Sequence, residues 1–355
     1  MSQRPSRHHT HPQQANPQQG WVDTPDGAPD RLAAKVAALR RPQAYPGEVR
    51  TVEALETHMS WVFLTRTRAY KLKKPVRTPL LDYTSCEARR HGCEQERALN
   101  QRLAASVYLG VTPLVESSWG IHIGGEGATV DWLVEMRRLA DPLMLDACIE
   151  RGEVRPDDVA QVAAKLCGFY ADAHPAPTDA ATYLASITSD IEAKQSSLAQ
   201  PHYGLARREV ARAAQNLLAG VDAHRAELEA RADRIVDAHG DLRPEHVCLE
   251  FEPVIIDRLE FDRSLRLLDP ASELAFLAME CRRMGAGWIA DELFATYRRL
   301  TDDAVSEALF GVYGAYHALV RAAIAAWHLD DDALDDSERH RRRARRYFGL
   351  IDQLS

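Results

Sequence analysis

Apolar positions along this chain follow two different periods, and the change between them divides the sequence. Ser60-Trp61-Val62-Phe63-Leu64 and Ala69-Tyr70-Lys71-Leu72-Lys73 flank the polar link 65–68. Short β-rich runs on either side of a polar link read as a hairpin, with Lys71 and Lys73 alternating onto one face. Trp132-Leu133-Val134-Glu135-Met136-Arg137 reads as a further strand with a polar exit. From Ser85 to about Ala105 the chain reads as a helix, with Ala88, Cys93, Ala98, Leu99 and Leu103 supplying the apolar positions and no Pro or mid-helix break except Gly92. Helical spacing also covers 156–173, 180–198 and 203–234, where Glu227 and Arg231 stand as an i,i+4 pair. It then dominates from Ala271 to Leu354. The stretch 308–329 is long and apolar, but His317, Arg321 and His328 interrupt it, which predicts a buried helix and not a membrane span.

One hairpin breaks this helical half. Val247-Cys248-Leu249 and Val254-Ile255-Ile256 flank Glu250-Phe251-Glu252-Pro253, preceded by His239-Gly240-Asp241-Leu242-Arg243-Pro244-Glu245-His246 and followed by Asp257. A hairpin brings its outer ends together. Asp241, His246 and Asp257 are therefore expected at one mouth, with one carboxylate to orient a hydroxyl and two ligands to hold Mg²⁺ against phosphate oxygens.

Composition narrows the class. The chain has 355 residues, 45% of them hydrophobic, enough for a full core. Its 44 Lys and Arg against 52 Asp and Glu give a net charge of −8, so the molecule as a whole does not attract nucleic acid. A basic run, 339–346, follows the acidic run 330–336 and reads as a helix with local ion pairs. The six cysteines lack paired Cys-x-x-Cys spacing and read as reduced core thiols in a cytoplasmic protein. The first 29 residues, rich in Pro, Gln, His and Gly, read as a disordered tail whose His8, His9 and His11 are solvated. No Gly-x-x-x-x-Gly-Lys-Ser/Thr occurs, which excludes a P-loop.

The stretch His239-Gly240-Asp241, with Asp257 after the hairpin and Asp269-Pro270-Ala271-Ser272-Glu273-Leu274-Ala275 further on, resembles the loops of the aminoglycoside phosphotransferase family. That family is the small-molecule branch of the protein-kinase-like fold. Together with Glu56-Thr57-His58-Met59-Ser60-Trp61, these segments are most like an uncharacterised bacterial branch of it. The resemblance spans about 53–329. It implies an α+β, two-lobed protein-kinase-like fold: a strand-containing N-lobe over 30–137 and a helical C-lobe over 138–355. It implies an ATP- and Mg²⁺-dependent transfer to a hydroxyl of a small acceptor. Asp241 would be the base, His239 would belong to the catalytic loop, and His246 and Asp257 would be the metal ligands. Lys71 would meet the nucleotide phosphates with Glu96 as its partner, and Lys73 remains the alternative. Glu135 and Met136, in the segment joining the lobes, would hydrogen-bond the adenine through their backbone groups. The chain departs from the family in two places: His246 stands where Asn is usual, and 52–59 has no glycine for a phosphate cover. A nucleotide-binding pseudokinase without turnover is the competing reading. The acceptor and the oligomeric state are not written in the sequence.

Overall fold

A computed structural model describes residues 28–78, 80–330 and 337–354; the expected tail up to residue 27 and the acidic run 331–336 lie outside the described residues. The described chain forms two compact units. One comprises 28–172 with 239–263, and the other 173–238 with 264–354. The expected boundary at 137/138 marks where long strands give way to helices, but the helices up to 172 and the loops 239–263 pack with the strands.

In the first unit, helix α1 (Ala28–Leu39) precedes strands β1 (Glu53–Glu56), β2 (Ser60–Leu64) and β3 (Arg68–Lys73). The short pair β4 (Arg77–Thr78) and β5 (Leu81–Asp82) leads to α2 (Cys86–Ala104). Strands β6 (Tyr108–Ser117), β7 (Gly120–Ile123) and β8 (Ala128–Arg137) follow, then α3 (Leu145–Arg151) and α4 (Pro156–Ala171). The six long strands form one antiparallel sheet in the order β1-β2-β3-β8-β6-β7, with Lys71 opposite Val62 on one side and Val134 on the other. Successive side chains of a strand point to opposite faces. Tyr70 and Leu72 accordingly join Phe63, Leu114 and Leu133 under α1, whereas Ala69 packs with Val134, Cys93 and Tyr108 on the face toward α2. Lys71 and Lys73 share that second face.

Helix α2 starts where the sequence places it, because the Ser85 hydroxyl caps it by accepting from the Ala88 amide at 3.1 Å. Its buried stripe is unusually polar: Arg89, Cys93, Glu96, Asn100 and Leu103. Arg89 donates to Asp131 of β8 (Nη2 to Oδ2, 2.8 Å), and Lys35 of α1 reaches the same carboxylate at 2.7 Å. This buried cluster joins α1, α2 and the sheet.

The second unit is helical: α5 (Ala180–Leu198), α6 (Arg207–Ala223), α7 (Arg225–Ala230), α8 (Pro270–Arg283), α9 (Trp288–Thr301), α10 (Glu307–Trp327) and α11 (Ser337–Leu354). The single helix expected over 203–234 is broken at His224, and Glu227 and Arg231 do not pair with each other. Glu227 caps α10 through the Ser306 amide (2.7 Å) and hydroxyl (2.8 Å). Arg231 is buried between Asp269 (2.8 Å) and Asp303 (2.7 Å). A buried cation must be paired, and these partners outweigh a surface helix pair. Asp269 also caps α8 and accepts from the Tyr313 hydroxyl at 2.8 Å. Helix α10 is apolar and long enough to cross a membrane, yet 72% of its most apolar window is buried in the unit. Its His317 stacks on Phe276 at 4.7 Å. In the basic run, Arg341 and Arg345 lie near Glu338, at 3.9 and 3.5 Å.

Candidate active site

Every side chain of the candidate site comes from the first unit. Gly240 carries a φ of 90°, a left-handed conformation that glycine adopts without strain. It lets the chain turn between His239 and Asp241. The short helix Pro244–His246 and the hairpin Val247–Cys248/Val254–Ile255 then return the chain to Asp257, as the spacing predicted, with Val247 opposite Ile255. Asp257 itself has a φ of 64°. For a residue with a Cβ that conformation costs about 1–3 kcal/mol, so the surroundings must impose it.

They do so by holding the peptide groups. Ile256 donates to the His246 carbonyl (2.9 Å), and its own carbonyl accepts from His239 Nε2 at 2.9 Å. The Asp257 amide donates to the Tyr108 hydroxyl at 3.1 Å, and the Leu259 amide to the His239 carbonyl at 3.1 Å. His239, placed in the catalytic loop by the sequence, is fully buried and acts as a brace behind that loop. Burial, with His246 nearby, pushes its pKa down to about 3, so the ring is neutral and its Nε2 carries the proton.

The charged side chains form a ladder. Lys71 Nζ donates to Glu96 Oε1 at 2.9 Å and to Asp257 Oδ1 at 2.7 Å. Lys73 Nζ donates to the other Glu96 oxygen at 2.6 Å and also pairs with Glu260, which accepts from the Tyr83 hydroxyl at 3.1 Å. Glu96 thus divides one carboxylate between both candidate lysines. Burial alone would push the two lysines down, but the carboxylates override it and hold both well above the ordinary lysine value. Loss of water would likewise raise Asp257 and Glu260; the Lys71 ammonium beside Asp257 and the Lys73 ammonium beside Glu260 hold them below the usual carboxylate range. Exposure separates the lysines: the Lys71 side chain is 16% exposed and that of Lys73 only 2%.

Arg243 organises the opposite edge. Its guanidinium donates to Asp241 Oδ2 (3.0 Å), to Glu245 Oε1 (2.6 Å) and to His246 Nε2 (3.0 Å). His246 Nδ1 donates to the Asp241 carbonyl at 2.8 Å, which fixes the tautomer: Nδ1 carries the proton and Nε2 accepts. His246 Nε2 lies 3.5 Å from Asp257 Oδ2. Among the described residues, no three His, Cys, Asp or Glu side chains converge as a preformed metal cage.

Lys71, Asp241, Arg243, His246 and Asp257 line one cavity of about 620 Å³. The turn Thr57–Ser60 between β1 and β2 borders it without a glycine, held by Thr57, whose hydroxyl accepts from the Ser60 amide at 3.0 Å. Met136 lines the cavity, whereas the Glu135 side chain does not, so a contact from Glu135 to an adenine would be made by its backbone. Strand alternation turns Glu135 to the other face, where it lies 3.4 Å from Arg68. Sequence reasoning did not single out Arg243, Glu260, Tyr108 or Asn100. Arg243 lies two residues from Asp241 and Glu260 three from Asp257, and that closeness to a candidate carboxylate is the signal the sequence offers for them. Tyr108 lies on a strand that was not read.

No family model matches the chain. Uncharacterised proteins of Mycobacterium bovis and Mycobacterium tuberculosis are 31% identical over 297 residues, covering 81% of this chain; the chain spans 58% of their length. Among solved structures, the aminoglycoside phosphotransferase APH(2″)-IIIa, in complex with GDP and kanamycin, superposes with a TM-score of 0.50. It has 13% identity over 84% of this chain and 94% of its own. A choline/ethanolamine kinase family protein from Mesorhizobium loti gives 0.50 at 17% identity, over 91% of this chain and 99% of its own. With the antiparallel sheet, the Lys71–Glu96 pair and the helical second unit, these likenesses assign the chain to the α+β protein-kinase-like fold that aminoglycoside phosphotransferases and choline/ethanolamine kinases share.

Proposed function

We propose that the protein transfers the terminal phosphoryl group of ATP to a hydroxyl of a small-molecule acceptor, with Mg²⁺ as the metal. The observation that carries this reading is Lys71, held between Glu96 and Asp257 in the same cavity as Asp241. Phosphoryl transfer needs little covalent help from a protein; it needs the phosphates positioned and their charge offset. Lys71 supplies a fixed ammonium for the phosphates, and Glu96 prevents it from wandering. Asp241 orients the acceptor hydroxyl and takes its proton, while Arg243 holds the Asp241 carboxylate in place.

The residues fit a Mg²⁺ ion of the kind held by one or two carboxylates together with phosphate oxygens. Asp257 would hold it, because its side chain is 42% exposed and faces the cavity. When bound, such an ion offsets negative charge on the phosphates. His246 is a weaker partner: Mg²⁺ prefers oxygen, and the Nε2 lone pair already accepts from Arg243. The aminoglycoside phosphotransferase neighbour is a complex with GDP, which supports nucleotide use by this chain. The six cysteines stand as free thiols, five of them buried, which supports a reducing, cytoplasmic setting.

The test is Asp241→Asn. A general base contributes about 10²- to 10⁴-fold to a proton-transfer step. The variant should therefore keep ATP affinity and lose transfer by that order, measured as steady-state turnover across a panel of hydroxylated metabolites and aminoglycosides. Unchanged turnover would remove the base role. A parent that binds Mg·ATP but turns over no acceptor would favour the pseudokinase.

A further inference from the structure

The stripe that α2 buries carries a residue whose side chain has no charge to contribute and touches no part of the cavity. Asn100 is completely buried, one helical turn beyond Glu96. Its Oδ1 accepts from the Arg258 amide at 2.8 Å. Its Nδ2 donates to the Arg258 carbonyl at 3.3 Å and to the Glu96 carbonyl at 2.9 Å. One amide therefore grips both peptide groups of the residue that follows Asp257, and the same amide is anchored to the backbone of Glu96. On the other side of Asp257, the Tyr108 hydroxyl holds the preceding amide. The Arg258 side chain is buried over the Phe169 ring at 5.1 Å, so the gripped residue cannot rotate out.

We infer that Asn100 is a positioning residue: it imposes the left-handed conformation of Asp257 and, through the shared backbone of α2, couples the placement of that carboxylate to that of Glu96. This rests on Asp257 being the metal-binding carboxylate. A buried amide that satisfies its donors and acceptor on three backbone groups specifies one geometry, because any shift of the loop leaves a buried polar group unpaired. The consequence is that α2 and the Asp257 loop move together. Displacing the helix withdraws Glu96 from Lys71 and turns Asp257 away from the cavity in the same step.

The experiment uses the full chain and the variant Asn100→Leu, which keeps most of the side-chain volume and removes all three bonds, with Asn100→Ala as a second variant. Two measurements are made. In the absence of any ligand, hydrogen exchange followed by mass spectrometry compares the segment 254–260 with the rest of the first unit. Loss of the clamp should accelerate exchange in 254–260 by about 30-fold, the equivalent of the two buried hydrogen bonds that the Arg258 backbone loses, with the remainder of the first unit unchanged. In the presence of ATP, the Mg²⁺ concentration giving half-maximal nucleotide binding should rise by about 10- to 100-fold, as for other residues that orient a metal ligand, while metal-free nucleotide binding stays as in the parent. Exchange at 254–260 that matches the parent overturns the inference. So does an equal acceleration throughout the first unit, which would make Asn100 an ordinary core residue. If the parent itself shows no Mg²⁺-dependent nucleotide binding, the phosphotransfer reading fails, and the exchange measurement still decides whether Asn100 sets the loop.

Discussion

Gly92 stands in the middle of α2, where glycine is normally a weakness. Replacing an exposed mid-helix glycine by alanine gains about 0.5–1 kcal/mol, because the unfolded chain loses freedom. At Gly92 the sign should reverse. A Cβ built there would lie 2.6 Å from both Cε1 and the hydroxyl oxygen of Tyr83. A ring free to swing would move aside, but Tyr83 is buried, its hydroxyl donates to Glu260 at 3.1 Å, and Lys73 Nζ lies over its ring at 5.1 Å. Overpacking of this kind costs about 1–3 kcal/mol. Losing the hydrogen bond to the Glu260 carboxylate adds roughly 1.5–3 kcal/mol. After the helix gain is subtracted, Gly92→Ala should destabilise by roughly 1.5–5.5 kcal/mol, from the smallest penalties less the largest gain to the largest penalties less the smallest gain. The control is Gly168→Ala in α4, an exposed helical glycine with nothing within 4 Å of the added Cβ, which should stabilise by about 0.5–1 kcal/mol. Urea denaturation of parent, both single variants and Tyr83→Ala with and without Gly92→Ala gives the comparison. In the Tyr83→Ala background, Gly92→Ala should regain the helix term and become stabilising. If Gly92→Ala stabilises as much as Gly168→Ala while Tyr83 is present, the packing account is wrong.

The two lysines should fail differently. Lys71→Ala should weaken Mg·ATP binding with little loss of stability, since Glu96 keeps Lys73; Lys73→Ala should cost about 3–5 kcal/mol of stability by stranding the buried Glu260, while Glu96 keeps Lys71, which denaturation would show. The reverse pattern would assign the phosphate contact to Lys73. Asp257→Ala should abolish the Mg²⁺-dependent part of the thermal shift given by ATP, and an unaltered shift would remove the metal role. The third concerns acid. Burial lowers both His239 and His317 to about 3, so below the unfolded value of about 6.5 protons bind the unfolded chain first. Stability from each is fully present above about pH 6.5 and falls as pH drops toward 3, at about 1.4 kcal/mol per pH unit per histidine. His317→Gln should flatten the slope of unfolding free energy between pH 6 and 4, and an unchanged slope would contradict the burial account.

Local pattern alone determined much of this protein. The hairpins at 60–73 and 247–255, the helix from Ser85 with its cap, and the convergence of Asp241, His246 and Asp257 all follow from periods, turn residues and short loops. In those segments the chain's nearest neighbours in space are also near in sequence. What tertiary structure decided involves partners far apart along the chain. Lys71 and Lys73 alternate onto the same face, and no sequence spacing could say that Asp257, 186 residues from Lys71, takes one of them while Glu260 takes the other. The i,i+4 pair read between Glu227 and Arg231 gave way because Asp269, Asp303 and Ser306 offered buried partners that satisfy more bonds. Glu135 and Met136 face opposite sides by strand alternation alone, but that the Met136 side chain is the one meeting the cavity was decided by how β8 pairs with β3 and β6 in the assembled sheet. Asn100, which no periodicity or motif marks, clamps the Asp257 loop because its amide meets Arg258 across 158 residues. Periodicity specifies which face a residue occupies; only packing specifies what that face meets.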